Sequence, residues 1–280
     1  MLGLSKLPRS RIGGLLQDAV YMLSDCIDAR SAMDLWELCR VYAARRRQIN
    51  GQMRLPRMLL HYPDFRNFLL AYREIFVRHS YAFKSTRSNP RIFDCGANIG
   101  LATLFFKSWY PESSVLCFEP DPSAYAALRL NVERNGLKDV RHFNLALWDS
   151  DGEIDFYITP DRAGNVRNSA VAGRVNGDTI HVPAKRLSSF IGDERVDLLK
   201  LDVEGAEQRV LCDLSASGKL SQVDAIFVEY HHRIADNSAQ LSEFLSILER
   251  AGFEYHLDCR WRPGYTGSQS QDVLIYAARW

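Results

Sequence analysis

The residues most able to do chemistry sit in two short runs about twenty positions apart. Asp94-Cys95-Gly96-Ala97-Asn98-Ile99-Gly100 is a glycine-bearing turn headed by a carboxylate, and Phe118-Glu119-Pro120 closes a second apolar run. Gly96 and Gly100 let the backbone approach a ligand that side chains would exclude. An acidic residue at the interval of Glu119 is where nucleotide-binding sheets hydrogen-bond ribose hydroxyls. A dinucleotide site needs G-x-G-x-x-G to bring a helix N-terminus onto a pyrophosphate. Asn98 stands two residues after Gly96, so that fingerprint is absent. The turn therefore suits a nucleoside ligand without phosphates, and a carboxylate at Asp94 suits one that carries an ammonium group. S-adenosylmethionine meets both conditions.

These residues need a scaffold that puts them at one edge. From residue 91 onward, apolar strand-like runs alternate with helical ones: strands at 91–94, 115–119, 140–145, 196–203, 225–230, 253–257 and 273–277, with helices at 99–109, 122–135, 205–215 and 237–250. An alternating stretch at 153–158 follows the turn at Gly152. Repeated strand-helix units with apolar strands predict an α/β fold with a doubly wound, mostly parallel seven-stranded sheet. Ligands of such sheets lie beyond the carboxyl ends of the central strands. The exits here are Asp94, Glu119, the group Asn144, Ala146 and Leu147, then Asp202-Val203-Glu204-Gly205, and Glu229-Tyr230-His231-His232. Residues 15–83 carry apolar positions at helical spacing, with Gly51 and Pro56 as breaks, and read as all-helical. The polar linker 84–90 separates an N-terminal helical extension and substrate cap, 1–88, from a catalytic domain, 89–280. The basic run Arg45-Arg46-Arg47 reads as a solvated helix end.

Composition narrows the function. A net charge of +1 on 280 residues gives no field to concentrate a polyanion, which argues against nucleic acid as a partner. The six cysteines are scattered without a C-x-x-C pair, as in a chain kept reduced, and no run approaches the length of a membrane span. The expectation is a cytoplasmic protein, with a homo-oligomer compatible with the sequence.

The runs Asp94 to Gly100, Phe118-Glu119-Pro120, Asn131 to Gly136 and Lys200-Leu201-Asp202-Val203-Glu204-Gly205-Ala206-Glu207 together resemble the FkbM family of methyltransferases. Tyr72-Arg73-Glu74-Ile75-Phe76 with Tyr81 resembles the start of that domain. The resemblance implies a class I, Rossmann-like methyltransferase fold using S-adenosylmethionine, and O-methylation of a small-molecule hydroxyl on a sugar, glycoconjugate or polyketide. The cofactor set is then Asp94, Gly96, Asn98, Gly100, Glu119, Asn144, Ala146, Leu147 and Asp202, with Tyr81. Enzymes that methylate planar amines commonly carry Asn/Asp-Pro-Pro-Tyr/Phe after the fourth strand. Here that strand ends in Asp-Val-Glu-Gly, which lowers N-methylation of RNA or protein to an alternative. A cofactor-binding module that methylates nothing is the other.

A sulfonium is a good leaving group, so positioning carries much of the transfer, but an alcohol must still lose its proton. Asp202, Glu204, His231 and His232 are the candidate catalytic residues. No metal is expected; were one needed, Asp202 with Glu229 would be the pair to hold Mg²⁺. Residues 159–177 have no period and are expected to form an acceptor lid with the N-terminal helices.

Overall fold

Apolar runs of five or six residues between polar turns become strands covered on both faces, and this sets the centre of the molecule. The structure, a computed structural model, describes residues 32–45, 51–159, 165, 168–174, 177–232, 234, 240–259 and 271–279. Helix α1 (Ala32–Arg45) is followed by a hairpin of β1 (Gln52–Arg54) and β2 (Leu59–His61). Helix α2 (Phe65–Tyr72) is capped by Asp64, whose side chain accepts the Asn67 N–H, and runs into one π turn, Arg73–Val77. The alternating units follow: β3 (Arg91–Cys95), α3 (Leu101–Trp109), β4 (Ser114–Phe118), α4 (Pro122–Arg134) and β5 (Val140–Phe143). Next come β6 (Ala146–Trp148), β7 (Gly152–Ile158) and β8 (Asp178–Arg186), then β9 (Val196–Leu201), α5 (Glu207–Ala216), β10 (Val223–His232), α6 (Leu241–Arg250), β11 (Glu254–Asp258) and β12 (Gln271–Ala278).

The main sheet has seven strands in the order β11-β12-β10-β9-β3-β4-β5. The run from β5 to β10 is parallel, and β12 is antiparallel to both its neighbours. From β3 the chain moves outward through β4 to β5, then returns to β9 on the other side of β3. That reversal opens a crevice at the carboxyl ends of β3 and β9, where a doubly wound sheet takes its ligand. The expected α/β architecture is thus present.

Three local expectations differ. Residues 52–61 form a hairpin rather than helix, because Met53, Leu55 and Leu60 bury alternate positions instead of a helical stripe. The third core strand stops at Phe143; Ala146–Trp148 leaves it for a separate sheet of order β6-β8-β7. Strand β8, whose polar and β-branched residues alternate about Val182 and Ala184, was not expected. The expected helix over 15–31, Arg46 and Arg47 of the basic run, and residues 160–164, 166–167 and 175–176 of the expected lid lie outside the described residues.

Successive strand residues feed opposite layers. Ile92, Val115 and Leu198 join one apolar cluster, and Phe93, Leu116 and Leu199 the other. Leu38, Leu60, Phe68 and Tyr72 belong to the first of these, so the N-terminal segment packs directly on the parallel sheet's helices. Two amides of α4 fasten it. Asn131, fully buried, accepts the His61 N–H at 2.6 Å and donates to the carbonyls of His61 and Ile99 at 2.9 and 2.7 Å. Asn135 accepts the Leu59 N–H and donates to the Leu59 carbonyl, each at 2.8 Å. The helix thus treats β2 as a neighbouring strand would. Asn131→Ala leaves buried backbone groups unpaired and should cost about 2 to 4 kcal/mol in urea unfolding. A loss under about 0.5 kcal/mol would mean that the hairpin is held by its apolar contacts alone.

Candidate active site

The turn after β3 is built by close approach. The N–H groups of Gly96 and Ala97 donate to the Phe118 carbonyl at 3.0 and 2.9 Å, and the Asp202 N–H donates to the Cys95 carbonyl at 3.1 Å. A Cβ on Gly96 would lie 1.7 Å from the Asp202 carbonyl oxygen, and its φ of +80° is a glycine conformation. No other residue fits there. Asn98 is also left-handed, φ +48°, and its own N–H points to Glu119 Oε2 at 2.8 Å. The other Glu119 oxygen accepts the Asp121 N–H at 2.8 Å. Burial pushes the Glu119 carboxyl up to about 8, against the pull of these two amides. Its place on the wall puts an acceptor beside the turn, as a ribose hydroxyl requires.

A cavity of about 560 Å³ opens at the crevice between β3 and β9. One end carries Phe118, Glu119, Leu145, Ala146 and Leu147, an apolar slot beside a carboxylate that fits an adenosine. Of the residues expected to bind cofactor, Tyr81, Gly96, Asn98, Glu119, Ala146, Leu147 and Asp202 line it. Asn144 instead stands behind the wall, its amide donating to the carbonyls of Glu119 and Pro120 at 2.9 and 3.0 Å. Gly100 serves as the left-handed cap of α3.

Asp94 requires a correction. It is fully buried, accepts the Thr103 hydroxyl at 2.7 Å, and faces the Lys200 ammonium at 3.5 Å. It is not among the residues that line the cavity, and it anchors Lys200 and the turn from beneath. Lys200 itself is 3% exposed and touches Asp202 Oδ2 at 3.4 Å while donating to the Gly96 carbonyl at 2.7 Å. Burial opposes its charge, yet Asp202 and Asp94 raise its pKa above the ordinary lysine range.

The exit of β9 is clasped from three directions. Glu207, the first residue of α5, accepts the N–H groups of Val203 and Gly205 at 3.2 and 2.9 Å. His231 Nδ1 lies 2.9 Å from Glu207 and Nε2 lies 3.3 Å from Glu204. Burial works against the imidazolium, but Glu207 and the other carboxylates carry its pKa up to about 9. Both nitrogens of His231 are thus engaged by carboxylates, and it does not line the cavity. His232 is likewise off the cavity wall, near Tyr230. Glu204 does line the cavity, at φ +55°, with Arg174 on its carboxylate and the Ser169 hydroxyl on its carbonyl. Asn168 extends the same segment to Asp121 at 2.8 Å, so the described part of the expected lid bridges the exits of β4 and β9.

Several wall residues were given no role by the sequence: Arg73 and Glu74 of the π turn, Arg78 at its end, Lys200, and the carboxylates Asp258 and Asp272; Glu229, named there only as a partner for Mg²⁺, lines the wall as well. Glu229 has His231 Nε2 at 4.0 Å. Burial, then the neighbouring Asp202, raises its pKa well out of the carboxylate range. Asp202 and Glu229 thus face one cavity, but Asp202 already shares the ammonium of Lys200 where a Mg²⁺ would have to compete. Ligand atoms of Glu229, His231 and Asp272 lie within 4.8 Å of one another, as do those of Asp202, Glu207 and His231. His231 belongs to both sets, with Nδ1 at 2.9 Å from Glu207 in one and Nε2 at 4.0 Å from Glu229 in the other.

Comparison with known proteins follows the same residues. A family model described as the methyltransferase FkbM domain matches residues 94–255. Methyltransferase 1 of Beauveria bassiana (strain ARSEF 2860) is 28% identical over 228 residues, 74% of this chain and 88% of that protein. The 31-O-demethyl-FK506 methyltransferase FkbM of Streptomyces tacrolimicus is 29% identical over 214 residues, 65% of this chain and 80% of that protein. Among solved structures, methyltransferase FkbM from Methylobacillus flagellatus KT aligns with a TM-score of 0.48 and 13% identity, over 95% of this chain and 60% of that one.

The Lys200 contacts make a prediction about stability. Lys200→Met leaves two carboxylates without their shared cation and should cost about 3 to 5 kcal/mol in urea unfolding. Adding Asp94→Asn should recover part of that loss, since the buried charge then goes as well. A double variant no more stable than the single one would place the cost in packing instead.

Proposed function

The chain belongs to the FkbM family of methyltransferases, and from that premise we propose that it moves a methyl group from S-adenosylmethionine to a hydroxyl of a sugar, glycoconjugate or polyketide-type small molecule. S-adenosylmethionine is the cofactor, and it supplies an electrophilic methyl on a cationic sulfonium. The observation that carries the reading is the two-part cavity. An adenosine-shaped end at Glu119, Ala146 and Leu147 continues into a wall bearing Glu229 and the carboxylates of Asp202 and Glu204, whose negative charge complements a cationic ligand. The relative from Streptomyces tacrolimicus, by its name, acts on an oxygen of demethyl-FK506 and supports an oxygen acceptor here.

The residues have separate tasks in this proposal. Gly96, Ala97 and Asn98 admit the cofactor closely and Glu119 holds its ribose hydroxyls. The apolar slot of Phe118, Ala146 and Leu147 excludes water from the adenine. Transfer forms an oxygen–carbon bond as the carbon–sulfur bond breaks, and the acceptor's proton must go to a group on the wall. Among the candidates, Glu204 is committed to Arg174 and His231 is already protonated, while Asp202 shares Lys200. Glu229, which has His231 Nε2 at 4.0 Å, joins Asp202 as the pair that takes the proton. The segment 168–174 and the π turn flank the acceptor as its lid.

The first test is turnover. Incubating the chain with S-adenosylmethionine and a panel of methyl glycosides and macrolide alcohols should release S-adenosylhomocysteine together with a methyl ether detected by mass spectrometry. Tight cofactor binding with methylation of none of them, or of an amine instead, would sink the hydroxyl assignment. The second test is pH. A proton acceptor must be ionised to work, and Glu229 ionises above the ordinary carboxylate range. The rate should therefore rise with pH through the neutral to alkaline region, and Glu229→Gln should lose that limb with a fall of about 10²- to 10⁴-fold. A profile that is flat above pH ~6 in the parent chain would remove Glu229 from this role.

A further inference from the structure

Tyr81 has no task in the transfer so far, although it is a polar side chain set into the cavity wall. It is buried, at 6% exposure. Among the described residues its hydroxyl meets no hydrogen-bond partner. A hydroxyl left unpaired inside a protein is costly, so this one has to be satisfied from the cavity that the residue lines.

The turn that carries Tyr81 is fixed. His79 is left-handed at φ +56°, which costs energy for a side-chain-bearing residue, and Phe105 and Trp109 of α3 hold its ring edge-on at 5.7 and 5.8 Å. The Ser80 N–H donates to the Glu74 carbonyl at 3.2 Å, and the Ala82 N–H to the His79 carbonyl at 2.9 Å. Between these bonds the Tyr81 ring packs on Phe106, with centroids 6.4 Å apart, and the Lys200 ammonium stands 5.6 Å from its centre. Lys200 is on Asp202, so the ring belongs to the end of the cavity where Asp202 and Glu229 are, not to the adenosine end at Glu119.

Few groups of a bound ligand can use an O–H donor at that place. The sulfonium and ammonium of the cofactor are cations and offer it nothing to bond. The cofactor's carboxylate is repelled by Asp202 and Glu229. The acceptor oxygen differs, because it gives its proton to that pair of carboxylates and carries negative charge as it does so. A donor fixed in advance at such an oxygen stabilises the transition state more than the ground state. Burial, then Asp202 and Glu229, hold the Tyr81 hydroxyl well above the ordinary phenol range, so it is still a donor where Glu229 is ionised.

We infer that the Tyr81 hydroxyl donates a hydrogen bond to the acceptor oxygen, orienting a lone pair of that oxygen toward the methyl group. Tyr81 keeps its own proton throughout. The oxygen–carbon bond forms as the carbon–sulfur bond breaks, the electrons of the latter stay on sulfur, and the acceptor's proton goes to Asp202 and Glu229. This rests on the hydroxyl reading of the acceptor. It assigns to the acceptor a residue that the sequence grouped with the cofactor.

Tyr81→Phe keeps the ring on Lys200 and Phe106 and removes only the O–H. The probe is the most rapidly methylated alcohol of the panel of methyl glycosides and macrolide alcohols, with the full chain. Its kcat should fall about 10- to 100-fold, the range of a charge-assisted hydrogen bond. S-adenosylmethionine affinity by calorimetry should change by less than about threefold, which also shows that the variant is folded. The loss in kcat should shrink with a counterpart fluorinated beside the reacting carbinol, whose more acidic oxygen depends less on a donor; a merely structural role would cost both alcohols equally. An unchanged kcat or an equal loss with the two alcohols overturns the assignment. A larger loss of S-adenosylmethionine affinity also overturns it and returns Tyr81 to the cofactor. A parent chain that binds S-adenosylmethionine but methylates no alcohol of the panel brings down the hydroxyl reading instead, and this assignment with it.

Discussion

A buried ammonium between two carboxylates holds the ligand crevice in shape. Lys200 projects from the penultimate position of β9 and meets Asp94 of β3, Asp202 just beyond β9, and the Gly96 carbonyl in the turn between. Each of these groups would be costly to bury by itself. Together they neutralise one another and join the two strand ends that border the switch point. The close approach of Gly96 to Asp202 depends on the same join, because the backbone can come that near only while the ends of β3 and β9 stay in register. The cofactor turn is thus held from beneath by charge and from the side by the Phe118 carbonyl.

The same logic recurs one strand further on. Glu207 and His231 form a buried pair behind the exit of β9, and Glu207 ties down two amides of that turn while His231 reaches Glu204. The left-handed Glu204 is a conformation that costs energy for a side-chain-bearing residue and persists where the surroundings over-determine it. Arg174, Ser169 and His231 supply that determination. Since Arg174 and Ser169 come from the segment beyond β7, the three-stranded insertion is mechanically linked to the wall of the cavity.

Legibility in the sequence followed what local pattern can express. The seven strands of the main sheet were readable because each is a short apolar run ended by a polar exit, and the exits named the loop at Gly96 and the carboxylate at Glu119. What a strand exit does not state is depth. Asp94 and Asp202 look alike as carboxylates after apolar runs, yet Asp94 is the fourth residue inside a five-residue strand and points at Lys200, whereas Asp202 is past the end. A signal did exist: Lys200 is the lone basic residue in the run Val-Asp-Leu-Leu-Lys-Leu, and a lysine within a central parallel strand needs a buried partner. The partner of His231 was hidden for a related reason, since Glu207 lies on a helix 24 residues earlier and spacing gave no hint of contact. The hairpin at 52–61 and strand β8 were missed because three-residue strands and half-exposed alternation are too weak a pattern to outweigh helical spacing nearby.

The distribution of charge on the cavity wall then explains how one crevice can take a cofactor with charges of both signs. Sulfonium and ammonium are positive and the α-carboxylate is negative, so a uniformly acidic wall would favour the methyl donor's reactive end while repelling its tail. A uniformly basic wall would do the reverse. On the wall, Asp202, Glu204 and Glu229 come from β9 and β10 or their exits, with Lys200 among them, whereas Arg73, Glu74 and Arg78 come from the π turn and its end, which precede the sheet. Strand exits are fixed by the register of the sheet, whereas the π turn is set by α2 and its packing on α1 and α3. Loss of the donated methyl removes the sulfonium charge and leaves the tail unchanged.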